Sequence, residues 1–366
     1  MTLHSALRGP RRPLAALAAL GLGASLLGAC ATDDKDTADA GTNSITIENC
    51  GEEMTVDTPV KTMYAYDGGI ISIALAAGAR DEIVAVTGMD YEAPLLELAY
   101  PDDRVAELKE VGDDFPTLEN VLAVDPELMF AGYGYGFSES RNLMPEMLHQ
   151  RDIATYLLSE TCQQQDGARG TMDPWTALET DLANIGELTG HRETADAVVK
   201  DIQQRRAALE AAPDADEKPT AFLVDSTGDA IFTSGKFGGP QAIFDAAGLR
   251  SATEDVEDTW TEVGWERLAA SDPDVIFFVD YPGQSYEQKV KELQANPASR
   301  NLTAVKERRF VNLPYSMWVS SPLNIDAAEW IRQAAEHWDL LPDTDITSDL
   351  DITSLTETLP GNEWTH

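Results

Sequence analysis

This 366-residue chain is poor in basic side chains, in histidine and in cysteine, and it has no long apolar run beyond its first thirty residues. Each scarcity excludes something. A helix that crosses a bilayer needs about 20 consecutive apolar residues, and no segment after residue 30 approaches that. The five histidines (His4, His149, His191, His337, His366) are scattered, and the three cysteines never form a CxxC pair. No local zinc-ligand spacing exists, and no resident metal or cofactor is expected. Lysine and arginine number 26 against 64 acids, for a formal charge of −38. Such a surface repels nucleic acid and anionic headgroups, so neither is expected as a partner. Because the acids are spread along the whole length, they read as a solvated surface and say little about a ligand.

Enzyme signatures are missing as well. Gly132, Gly134 and Gly136 follow a strand-like run, but the third glycine of a dinucleotide fingerprint would fall at position 137, which is Phe137. No GxSxG elbow occurs, which disfavours an α/β-hydrolase. Asp343-Thr344-Asp345 lacks the glycine and terminal glutamate of a calcium loop. No catalytic residue is assigned. A secreted α/β hydrolase and a surface scaffold lipoprotein stand as the readings of another class.

Arg8, Arg11 and Arg12 form a basic start, followed by an apolar run from Leu14 to Leu27 that has the length of a signal-peptide core. It ends in Leu27-Gly28-Ala29-Cys30, which resembles a bacterial lipobox, where the cysteine thiol carries the lipid. Residues 1–29 are therefore expected to be a lipoprotein signal and Cys30 the lipidation site. Residues 30–44 are small, polar and acidic, and they suit a flexible tether. The expected location is the outer face of the cell membrane, with the lipid anchor as the one membrane contact. Loss of residues 1–29, with three arginines and no acid, takes the charge from −38 to −41. With Cys30 lipidated, Cys50 and Cys162 remain. In an oxidising compartment such a pair favours a disulfide over two free thiols. In the chain-entropy view that bond is worth on the order of 4 kcal/mol.

About 320 residues follow the tether, enough for two lobes of ordinary domain size. An internal duplication supports two. Glu119–Phe130 reads ENVLAVDPELMF, and Glu266–Phe277 reads ERLAASDPDVIF, with no gap between the copies. Each spells a short helix, a proline-anchored stop at Asp125 or Asp272, and a buried strand. Apolar β-rich runs precede each copy, Ile83–Val86 and Ala221–Val224. Alternating strands and helices predict mostly parallel sheets covered on both faces. Between the copies, Leu182, Ile185 and Leu188 mark a helix broken at Thr189-Gly190-His191, and a long second helix spans Glu193 to Ala211. The fold class is α/β: two Rossmann-like lobes joined by a single long backbone helix. The expected divisions are 45–190 for the first lobe, 191–213 for the joining helix, 214–342 for the second lobe, and 343–366 for an acidic tail.

From roughly Val60 to Leu340 this layout resembles the class III substrate-binding proteins of ABC importers, which carry cobalamin, haem and iron–siderophores. Ile231-Phe232-Thr233-Ser234-Gly235-Lys236, a following glycine-rich turn and a helix ending at Gly248 carry the likeness. So do Trp260 six residues before Glu266, Trp318 with Ser320-Ser321-Pro322, and Asn49-Cys50-Gly51 with the later Cys162. The resemblance implies that Glu119 and Glu266 dock the two lobes onto the permease. It also implies a monomer that hands a small-molecule metal chelate to permease and ATPase subunits. Ligands of two-lobed α/β proteins lie beyond the carboxyl ends of the strands. The candidate ligand-binding residues in those loops are Tyr66, Tyr91, Tyr133, Tyr135, Lys236, Trp260, Tyr281 and Trp318. Their π-faces suit a large, partly conjugated ligand. The position matching a stacking tryptophan of the cobalamin binders is Asp113. Cationic side chains near the cleft are few, with Lys236 and Arg141 as candidates. An iron–siderophore of hydroxamate type is therefore favoured over a catecholate. Cobalamin, haem and a deazaflavin-cofactor precursor are the alternatives.

Overall fold

The computed structural model describes residues 43–112, 114–355 and 359–365. The signal segment, Cys30, nearly all of the tether and Asp113 lie outside the described residues. The chain begins with a hairpin, Asn43–Asn49 paired antiparallel to Glu52–Thr58. Its two-residue turn is Cys50-Gly51, with φ of 52° and 79°. Positive φ at both turn positions matches the right-handed twist of the strands. The Asn49 side chain exchanges two 2.8 Å hydrogen bonds with the backbone of Leu157, and the sulfurs of Cys50 and Cys162 are joined across 112 residues. Asn49-Cys50-Gly51 thus fastens the hairpin to the edge of the first lobe.

Each lobe is built on a parallel sheet, and the two sheets share one topology. In the first, the spatial order of the main strands is Ile83–Thr87, Met63–Tyr66, Leu128–Tyr133, Ala154–Leu157, and a two-residue fifth strand, Gly136–Phe137, also pairs with the end of Leu128–Tyr133. In the second it is Arg250–Ser251, Thr220–Val224, Val275–Asp280, Phe310–Pro314. In chain order both read second, first, third, fourth. The duplicated segment supplies the third strand and its preceding helix in each lobe, Leu118–Val124 and Trp265–Ser271. Asp125 and Asp272 end those helices in the left-handed region, with φ of 54° and 38°. A three-stranded antiparallel sheet (Ser226–Thr227, Ile231–Ser234, Trp260–Val263) is added to the second lobe.

Strand alternation sorts side chains to two buried faces. Leu128 and Phe130 enter a core shared by both lobes, whereas Met129, Ala131 and Tyr133 face the other side of the first sheet. Val275, Phe277 and Val279 enter the shared core, and Ile276 and Phe278 the opposite face. Helices Pro174–Thr189 and Arg192–Glu210 follow the first lobe, separated by Gly190 in the left-handed region. The joining helix is clamped at both sides. Arg206 pairs with Glu179 at 3.5 Å, and Arg205 Nε donates to Glu329 at 3.0 Å while its Nη2 reaches Asp326. The first of these helices begins two turns earlier than the Leu182–Leu188 pattern indicates, because Asp173 caps it and Pro174 occupies its first turn.

The acidic segment from Asp343 onward packs against the body, in contrast to the free tail its charge suggests. Leu350, Ile352 and Leu359 are buried. Trp330 Nε1 donates to Leu350 O at 2.9 Å, and Trp364 lies 5.7 Å from the Trp330 ring. Apolar residues spaced among the acids cover an aromatic surface that would otherwise be wet.

Candidate functional site

In a sheet ordered second-first-third-fourth, the crevice opens beyond the carboxyl ends of the first and third strands, where the chain's winding reverses. The residues just past those ends are Tyr66-Asp67 and Gly134-Tyr135 in the first lobe, Asp225 and Tyr281 in the second. All six line one cavity of about 740 Å³. Phe115, Phe232, Trp260 and Tyr315 complete its aromatic wall, and Asp90, Glu110, Asp114 and Arg169 its charged part.

Asp67 anchors the floor. It sits between strand Met63–Tyr66 and helix Gly68–Ala76 at φ 79°, ψ 142°, a conformation that costs an ordinary residue of order 1–3 kcal/mol. Two bonds hold it there: Gly69 N–H donates to Oδ1 at 3.0 Å, and the Tyr315 hydroxyl donates to Oδ2 at 2.8 Å. The following turn lies tight against the second lobe. A Cβ on Gly68 would stand 2.3 Å from Ser316 Oγ, and one on Gly69 would stand 2.5 Å from Val319 Cγ2. Two more carboxylates of the first lobe repeat the pattern. Glu92 accepts from Ser316 N–H at 2.9 Å. Glu160 accepts from Trp260 Nε1–H at 3.1 Å and from Ser320 N–H at 2.9 Å. The seam between the lobes is therefore a row of buried carboxylates on one side and donors on the other.

The aromatic wall is mutually packed. Tyr315 lies 6.1 Å from Tyr91 and 6.3 Å from Tyr281, Phe232 stacks on Trp260 at 6.2 Å, and Tyr66 stands 6.2 Å from Phe115. Arg169 Nη2 donates to Trp260 O at 2.8 Å, and its Nε is 3.8 Å from Asp258.

Of the eight candidate ligand-binding residues, the cavity brings together Tyr66, Tyr91, Tyr135, Trp260 and Tyr281. Three stand elsewhere. Tyr133 follows the alternation of its strand onto the opposite face of the first sheet. Lys236 lies outside the wall, 3.7 Å from Glu257 and 5.3 Å from the Phe237 ring centre. Trp318 is sealed in the core, its Nε1 donating to Phe278 O at 3.1 Å and Leu313 O at 3.2 Å. Arg141 reaches the rim, 3.5 Å above the Phe115 ring. Asp67 and Tyr315, in loops that the sequence places at the cleft, also belong to the wall, and so do Asp225, Phe232 and Arg169, which the sequence does not mark as cleft residues. For Asp67 and Asp225 the signal was their place at the end of a buried strand. For Arg169 there was none. Glu119 and Glu266 are exposed in the first turns of the two paired helices, away from the cavity wall.

Burial dominates the titration of the seam. It lifts Asp67 to about 7, against the Tyr315 and Gly69 bonds, and Glu92 to about 8, against its Ser316 bonds. Asp181, beneath the first lobe with Tyr156 and Ser159, is likewise raised by burial to about 7. Carboxyls whose folded pKa lies above the unfolded value hold protons that the unfolded chain has released. Their contribution is fully present below the unfolded values near pH 4 and is lost as pH rises through 7 to 8. The thermal midpoint is accordingly expected to fall between pH 5 and pH 8, and Asp67→Asn with Glu92→Gln to flatten that slope. Calorimetric scans at fixed ionic strength check this, and a midpoint that rises over the same interval contradicts the assignment.

The comparisons with known proteins agree with this architecture. A family model described as "Periplasmic binding protein" matches residues 64–316. No curated protein matches the sequence. Among solved structures, the chain is similar to an ABC-type Fe3+-hydroxamate transport protein of Saccharomonospora viridis. The identity is 21% over 79% of this chain and 98% of that one, with a TM-score of 0.67. It is similar to the molybdate periplasmic binding protein of Haemophilus influenzae at 18% identity, 81% and 94% coverage and a TM-score of 0.62. It is also similar to the periplasmic vitamin B12 binding protein of Vibrio cholerae at 19% identity, 76% and 97% coverage and a TM-score of 0.54. At these identities the likeness is one of fold.

Proposed function

Since this chain belongs to the periplasmic binding protein family, we propose that it is the lipid-anchored binding component of an ABC importer and that it captures an iron–siderophore of hydroxamate type between its lobes. As a family member it is an extracytoplasmic transport binder and not an enzyme. The observation that carries the ligand reading is the cavity at the two strand-end crevices, where Tyr66, Tyr91, Tyr135, Trp260, Tyr281 and Tyr315 surround a space lined, among the described residues, by one guanidinium. Flat π-faces favour a large chelate, and the shortage of cations disfavours a polyanionic catecholate. The Saccharomonospora neighbour, described as a hydroxamate transport protein, supports the same choice. The neighbours as a group are described for different ligands, so the choice rests on the wall. A titration panel tests it: ferric hydroxamates, ferric catecholates, haem, cobalamin and a deazaflavin-cofactor precursor, read by tryptophan fluorescence. Saturable quenching by a ferric hydroxamate alone supports the proposal. Sub-micromolar cobalamin binding with silence toward every ferric complex overturns the ligand while leaving the class intact.

Anchoring is the second part of the proposal. Among the described residues no helix is long and apolar enough to cross a membrane. We assign attachment to a lipid on Cys30, and Cys50–Cys162 to the oxidised, exported form. Cys30→Ser is expected to leave the precursor unlipidated and to move the protein from the membrane fraction to the soluble one. Incorporation of labelled fatty acid by the Cys30→Ser chain contradicts the assignment.

A further inference from the structure

The cleft wall is unbalanced in charge. Asp67, Asp90, Glu110, Asp114 and Asp225 face it, and among the described residues Arg169 is the one cation that lines it. That guanidinium is already engaged by Trp260 O and Asp258. Glu110 shows the shortage at one atom: Oε1 accepts from Gly88 N–H at 2.7 Å, while the buried Oε2 has no partner among the described residues.

Two of these carboxylates occupy equivalent places. Asp67 follows the first strand of the first sheet, and Asp225 follows the first strand of the second. Each accepts a tyrosine hydroxyl, Tyr315 at 2.8 Å and Tyr281 at 3.0 Å, and those two rings stand 6.3 Å apart. The shared topology thus sets one carboxylate from each lobe at the same crevice, and two tyrosines of the second lobe bond them. Burial raises both above the usual carboxylate range, Asp67 to about 7 against its Tyr315 and Gly69 bonds, and Asp225 against the Lys289 ammonium and its Tyr281 bond. Wall aromatics also already carry cations. Arg141 lies 3.5 Å over Phe115, and Lys289, behind the wall, is 4.7 Å from the Tyr281 ring centre. An ammonium or a positive chelate gains from both features, the carboxylate and the ring face.

We infer that the cleft selects a net cationic ligand, a chelate or corrinoid that carries a positive charge, and that Asp67 and Asp225 are its counter-charges. This rests on the cleft being the capture site proposed above. It goes further by ranking cationic members above the neutral and anionic ones of the same ligand class.

The experiment compares ligands that differ chiefly in charge, by calorimetric titration of the mature chain at pH 7. One pair is a ferric trihydroxamate with a free pendant ammonium and its N-acetylated, neutral form. The other is aquacobalamin, a cation, and neutral cyanocobalamin. The cationic member is expected to bind at least about tenfold more tightly in whichever pair binds, and raised salt is expected to shrink the ratio. Asp225→Asn is expected to cut the ratio to under about threefold, by weakening the cationic member more than the neutral one. Equal affinities within a pair, or tighter binding of the neutral member, overturn charge selection and leave the hydroxamate proposal standing. A silent hydroxamate pair beside cation-selective cobalamin binding overturns the hydroxamate choice and supports charge selection. Silence of all four overturns both. The wild-type ratio decides the charge question even where a variant fails to fold, and an unchanged ratio in folded Asp225→Asn removes that residue's role.

Discussion

Reversing both tip charges, Glu119→Arg together with Glu266→Arg, is expected to abolish uptake in cells while changing solution affinity for the transported chelate by less than about twofold. The structural ground is the shared unit. Each glutamate lies in the first turn of the helix that precedes the third strand of its sheet. Both are exposed, and neither lines the cavity. Placement at a helix start accounts for a favourable dipole interaction of under about 1 kcal/mol, which fits one carboxylate as well as two. The duplication preserves them at the same place in both lobes, which suits a partner that grips the two lobes alike. Charge reversal at such a contact turns attraction into repulsion without touching the ligand. Transport measured with radiolabelled iron chelate, beside titration of the purified variant, separates the effects. Parallel loss of binding and uptake would place these residues in the ligand site.

Trp318→Ala is expected to destabilise the chain by about 3–5 kcal/mol, the range for emptying a large aromatic position in a core. The indole is fully buried, its ring centre 5.8 Å from that of Phe244 and 6.0 Å from that of Phe277. Its N–H satisfies two backbone carbonyls of the second sheet, Phe278 O and Leu313 O. Molecules that remain folded are expected to bind ligand as the wild type does. Denaturant unfolding with a parallel titration checks both halves. A loss of affinity with an unchanged unfolding midpoint would return Trp318 to the cleft.

Trp318 shows where sequence reading stops. Its loop does reach the seam, and Tyr315, Ser316 and Ser320 in that loop contact the first lobe. Which side chains of the loop turn inward depends on a 3-10 turn at Tyr315–Met317, which no local pattern announces. Tyr133 differs, because strand alternation with Met129 and Ala131 already places it on the far face. The duplicated ENVLAVDPELMF and ERLAASDPDVIF segments carried the two-lobe layout, and their helices, stops and strands lie where the residues indicate. Strand order was not legible, since it depends on pairings distant in sequence. The seam carboxylates Glu92 and Glu160 were hidden for the same reason: their donors lie 224 and 160 residues away in the chain. Charge marks residues 343–365 as solvated, and the acids described there are exposed; the buried Leu350, Ile352 and Leu359 lie between them without a periodic pattern to announce them.

The capture of a chelate between the lobes is tested most directly by calorimetric titration of a ferric trihydroxamate into the wild-type chain and into Tyr91→Ala. Tyr91 projects into the cleft with 41% of its surface exposed, so its removal should perturb the wall with little cost to folding. The expected result is one saturable site of micromolar affinity or tighter, about −8 kcal/mol, weakened by about 1–3 kcal/mol in the variant. Absence of saturable heat in the wild type, or indistinguishable isotherms for the two proteins, would contradict capture of this ligand at this wall.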